Sequence, residues 1–137
     1  MTAQTLAAPA APSRLTTWAG RGLIGLVTAF MLFDAVIKLV KIQPVTDSFR
    51  QLGYPDSLAR GIGTMELLVT ALYVFPRTSV LGAVLMTAIM GGAIASHLRL
   101  GDPLFSHTLF GVYLGLMAWG GLWLTDPKLR ALLPLRR

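Results

Sequence analysis

The chain has 137 residues, 54% of them hydrophobic and only 13% charged, with a mean hydropathy of +0.65; an ordinary soluble domain carries roughly 25% charge. That deficit excludes a typical soluble fold and points to a membrane, while the absence of cysteine excludes disulfides, thiolate metal sites and thiol relays. The net charge of +6 is not laid out as a stripe interleaved with aromatics, so no nucleic acid is expected; the basic residues flank apolar blocks, as topology determinants do.

Residues 1–15, MTAQTLAAPAAPSRL, are too small and weakly apolar to build a core and read as a flexible tail. They lack the charged segment and apolar run of a cleaved signal peptide. The first apolar block, Trp18 to Ile37, has 20 residues, about 30 Å of helix, which matches a bilayer core. Residues 38–58 form a polar connection at an interface, with a short amphipathic helix expected around VTDSFRQL. A second span is expected over about 59–75, stopped by Pro76-Arg77, and a third over about 79–96, so the two must form an antiparallel hairpin. The segment HLRLGDP closes the third, and a fourth span runs over about 104–124 with Trp119 and Trp123 at its far end. Residues 128–137 make a basic tail just beyond it, fitting an interfacial belt. The expected fold is all-α, an integral membrane four-helix bundle occupying residues 16–127.

Basic residues on the two sides of four spans number seven (Arg14, Arg21, Arg77, Lys128, Arg130, Arg136, Arg137) and five (Lys38, Lys41, Arg50, Arg60, Arg99). The larger count places both termini in the cytoplasm.

The informative residues are the polar ones inside apolar blocks. Glu66 lies six residues past Arg60, about 9 Å into the hydrocarbon. An unpaired carboxylate there costs about 2.5 kcal/mol or more even on insertion scales. Asp34 and Lys38 are one helical turn apart and share a face. His97 and Arg99 end the third span and His107 starts the fourth, so alternation of the spans puts Asp34, Lys38, Arg60, Glu66, His97, Arg99 and His107 in one half of the bilayer. Asp34, Lys38, Glu66, His97, Arg99 and His107 are the candidate polar pocket, with Lys38 or His97 the expected partner of Glu66. A structural network that only fixes helix register is the first reading of these residues, a pocket or proton-handling site the second, and a neutral, protonated Glu66 a third. Small-xxx-small pairs (Gly25/Ala29, Gly91/Ala95, Gly111/Gly115) are expected to bring helices together within the monomer. Two histidines ten residues apart, with no HxxxH or HxxE spacing, argue against a metal site, and no phosphate loop or nucleophile elbow occurs.

The runs FDAVIKL, LGYP, GTMELL, SHLRLGDP and LTDPKLRALLP, in this order over about residues 20–134, resemble those of the DoxX-like proteins, small four-span bacterial membrane proteins. The resemblance implies a four-helix membrane bundle in the inner membrane and recurring polar positions at Lys38, Glu66 and His97. It also implies no assigned catalytic activity of the chain's own. The expected role is an accessory subunit or a binder of a small lipophilic molecule, with a quinone as the candidate ligand and no other cofactor evident. The alternatives are a membrane subunit of a quinone-linked oxidoreductase and a proton or cation carrier subunit. The partners implied are the lipid bilayer, a membrane or redox protein and a second copy of the chain.

Overall fold

The computed structural model describes residues 13–133. Ser13 caps the first helix, its hydroxyl accepting from the Thr16 amide at 3.2 Å, which satisfies one of the amides a helix start leaves free. Helix α1 (Arg14–Val40) therefore begins inside the segment expected to be a tail, the rest of which lies outside the described residues. It ends at Lys41, a non-glycine residue at φ 58°, whose amide closes on the Ile37 and Lys38 carbonyls. Holding that left-handed backbone costs about 1–2 kcal/mol, so the turn at Lys41 is stabilised from elsewhere; its ammonium reaches Asp56 at 3.5 Å.

The amphipathic helix expected in the connection is α2 (Gln43–Gln51), with Pro44 in its first turn. Val45 and Phe49, four residues apart, are buried on one face while Gln43, Asp47 and Arg50 stay outside. Helix α3 (Leu58–Val74) and helix α4 (Ser79–Leu100) are joined by the tight turn at Pro76-Arg77. After Gly101 a π-helical turn, Leu104–Thr108, leads into α5 (Phe110–Thr125), and Asp126 caps the short α6 (Pro127–Leu132) through the Lys128 amide at 2.8 Å. Part of the segment expected as a basic tail is thus a helical turn folded back on α5; Leu129 is buried, and Arg130 donates to the Leu124 carbonyl at 2.9 Å and stacks on Trp123.

The four long helices run up and down around a ring in which α1 touches α3 and α5, and α4 touches the same two. Three segments, α1, α4 and Leu104–Thr125, are long and apolar enough to cross a membrane. The fourth, α3, has 17 residues, about 25 Å against a hydrocarbon core of about 30 Å. It still meets the end of α1 with its first turns and the start of α4 with its last. The chain is an all-α integral membrane bundle.

Lipid tails are as apolar as leucine, so such helices hold together through close packing and hydrogen bonds more than through a hydrophobic drive. Most of the close approaches lie at glycines other than those expected. Gly82 of α4 sits against the Tyr73 backbone of α3, and Gly20 of α1 and Gly121 of α5 face each other, where any Cβ would collide. Gly63 lets α3 settle on the α1 backbone beside Lys38. Of the glycines in the small-xxx-small pairs only Gly111 packs, on Ile94 and Met90; Gly25, Gly91 and Gly115 have no neighbour within reach. Helical spacing of small residues says that two helices could meet on a face, not which face does.

The contiguous core, with Val27, Met31, Val69, Tyr73, Ala83, Met86, Ala118 and Leu122 buried, fills the half of the bundle nearer the termini. Two polar clasps join helices there: Tyr73 donates to the Ala118 carbonyl at 2.9 Å and Trp119 Nε1 to Thr87 Oγ1 at 2.9 Å.

Candidate functional site

The other half is hollow. A cavity of about 740 Å³ lies where α1 and α4 end and where α3 and α5 begin, with α2 closing it. Most of its wall is apolar: Phe30 and Ile37 from α1, Val45 and Phe49 from α2, Ile62 from α3, Met90 and Ile94 from α4, Leu114 from α5. A volume of this order accommodates a drug-sized molecule.

Into this apolar wall the fold sets one charged cluster. Lys38 Nζ donates to Asp34 Oδ2 at 2.6 Å, one helical turn back, and to Glu66 Oε1 at 2.7 Å across to α3. The reach is short because Gly63 removes the side chain that would hold α3 away from Lys38. Glu66 is 2% exposed, and all three residues line the cavity. Its backbone carbonyl is taken by the Thr70 hydroxyl at 2.7 Å. The second carboxylate oxygen, Oε2, is buried and has no hydrogen-bond partner among the described residues. Leaving a buried acceptor unpaired costs on the order of 1–3 kcal/mol, more for a charged group.

Of the two expected partners of Glu66, the one it meets is Lys38. His97 is engaged elsewhere. Gly101, at φ 70°, terminates α4 in a left-handed cap, and the chain folds back so that the Asp102 amide bonds the His97 carbonyl at 3.1 Å. That turn delivers the Asp102 carboxylate to His97 Nδ1 at 2.6 Å. The carboxylate can only accept, so Nδ1 donates, and in the neutral ring Nε2 is left as an acceptor. His97 lines the cavity together with His107, their rings edge to face at 5.7 Å. The two also line a smaller, more polar cavity of about 130 Å³ shared with Ser48, Gln51 and Asp102.

Of the six candidate residues, Asp34, Lys38, Glu66, His97 and His107 share the wall of the large cavity. Arg99 does not: it reaches the Leu52 carbonyl at the end of α2. Arg60 of the same half is exposed and donates to the Leu39 carbonyl at 3.3 Å. Asp102 and Tyr54 belong to the site without having been expected from the sequence. Ser96 donates to the Gly92 carbonyl at 2.8 Å, so Tyr54 donates to Ser96 Oγ at 2.9 Å and ties the loop after α2 to α4. The signal for Asp102 was present in SHLRLGDP, since a glycine one residue past a helix end returns the next residue to the last turn. Among the described residues no group of three or more His, Asp or Glu is placed to hold a metal ion.

The family model described as DoxX-like matches residues 22–121, well over half of the chain, and the chain belongs to that family. Comparison with curated proteins and with solved structures returned no significant match.

Proposed function

Starting from a DoxX-like multi-pass membrane protein, we propose that the chain binds a small lipophilic molecule in the hollow half of the bundle, as an accessory or carrier-like subunit without catalysis of its own. The observation that carries this reading is the coincidence of an apolar cavity of about 740 Å³ with a buried carboxylate whose second oxygen is unpaired. A pocket that is mostly apolar with a few convergent polar groups is the usual form of a small-molecule site. A purely structural ion pair would be better served by a filled core, because buried pairs stabilise little more than apolar residues of the same volume. The bundle would sit in the inner membrane with both termini cytoplasmic, an orientation supported by the excess of basic residues on that side.

One observation favours a second reading, a membrane subunit of a quinone-linked oxidoreductase: His97, held by Asp102, borders both cavities. A quinone in the large cavity would take two electrons from a partner subunit, since this chain has no cysteine, and two protons, one of them by way of His97.

Native mass spectrometry after extraction in mild detergent tests the first reading. A bound molecule should accompany the wild-type chain and be lost from Ala93→Phe, which fills the cavity. A chain that retains nothing and is not stabilised by any added lipophile would overturn it. Retention only in company with a redox protein would favour the second reading.

A further inference from the structure

If the cavity is a ligand site, as proposed above, the hydrogen-bonding groups left over in its wall define the polar group a ligand must carry. Lys38 has three N–H donors and spends two, on Asp34 and on Glu66. Glu66, paired to that ammonium as a carboxylate, spends Oε1 and keeps Oε2. Asp34, which also lines the cavity, spends Oδ2 and keeps Oδ1. The wall therefore offers one remaining donor, on Lys38, between two carboxylates that each keep an acceptor. His97, with Nδ1 committed to Asp102, adds a further acceptor at Nε2.

We propose that the site selects lipophiles bearing a hydroxyl group, such as an alcohol, a phenol or a quinol, over the corresponding carbonyl compounds. A hydroxyl is at once donor and acceptor: it gives its hydrogen to a free carboxylate oxygen of Asp34 or Glu66 and takes one from Lys38. A ketone or quinone oxygen can only accept, so it satisfies Lys38 and offers the carboxylates nothing. Discrimination of this kind is strong because the penalty falls on the protein group left without a partner.

The test uses three compounds of one ring system, 1-tetralol, 1-tetralone and tetralin, measured by equilibrium dialysis against the full chain in lipid nanodiscs and corrected for uptake by empty nanodiscs. The alcohol should bind roughly tenfold or more tightly than the ketone, and tetralin no better than the ketone. In Glu66→Gln the amide can present N–H where Oε2 stood, so the alcohol-to-ketone ratio should fall several-fold or invert. The wild-type ratio decides by itself if that variant does not fold. A ketone bound as tightly as the alcohol would show that the carboxyl side acts as a donor and would overturn the proposal. Equal binding of all three would overturn it while leaving the cavity as a ligand site. Binding of none, with no other lipophile bound either, would overturn both readings.

Discussion

The two halves of this bundle are made from the same four helices and differ in what the helices do with their interior. In the half nearer the termini, Gly20, Gly82 and Gly121 bring backbones into contact, and Tyr73, Met31, Met86 and Leu122 fill what space remains. In the other half the helices splay around a cavity, a short amphipathic helix closes the end, and charged side chains are set in the wall. The packed half gives the bundle its rigidity. The largest polar cost of the hollow half, a buried Glu66, is partly offset by Lys38. Buried ion pairs are poor sources of stability, so the binding role proposed above would account for this division better than stability does.

The difference between the halves is probed most severely at Lys38. Lys38→Met strands Glu66 and Asp34 together, and a loss of about 3–5 kcal/mol in unfolding free energy is expected on denaturation in detergent. Adding Glu66→Leu to it should recover part of that loss. Strictly additive losses would mean that the two residues do not support one another. The next largest effect belongs to the packed half: Gly82→Ala drives a methyl group into the Tyr73 backbone and should cost about 1–3 kcal/mol. Tyr73→Phe, which frees the Ala118 carbonyl, should cost about 1 kcal/mol by the same measurement. At the small end stands Gly92→Ala. A Cβ there meets nothing, and Gly92 lines the cavity, so stability should change by less than about 0.5 kcal/mol. If Gly82→Ala and Gly92→Ala proved equally harmful, the contrast between packed and hollow halves would dissolve.

Much of this was legible from the chain. Spans reveal themselves because a bilayer demands unbroken apolar runs, and the pairing of Asp34 with Lys38 follows from four-residue spacing. Lys38 and Glu66 could be matched because their depths coincide when the spans alternate. The choice between Lys38 and His97 could not be made that way. It depends on Gly63 admitting α3 to the α1 backbone and on the Gly101 cap sending Asp102 to His97, two effects of local geometry on side-chain reach. The cavity itself is invisible to periodicity, since a residue facing a void and one facing a neighbour occupy the same helical position. The small-xxx-small pairs misled for the same reason: Gly25, Gly91 and Gly115 have the right spacing on faces that no helix of the monomer meets. Arg99 lies at the same end of α4 as His97, but its long side chain turns away from the cavity to the Leu52 carbonyl.

Some of the residues around the cavity also lie on the outside of the bundle, Leu58 and Met65 being 45% exposed and Phe110 40%. In a membrane those surfaces meet acyl chains, so the medium from which a guest arrives is hydrocarbon and not water. Leaving lipid for an apolar wall gains almost no transfer free energy, because both phases solvate a hydrocarbon equally well. A tail that would be worth about 0.8 kcal/mol per methylene on leaving water is thus worth nearly nothing here, however long it is. If the cavity takes a guest as proposed, recognition resides in the head group, and three charged side chains, Asp34, Lys38 and Glu66, would carry a selectivity that the much larger apolar surface around them has no means to supply.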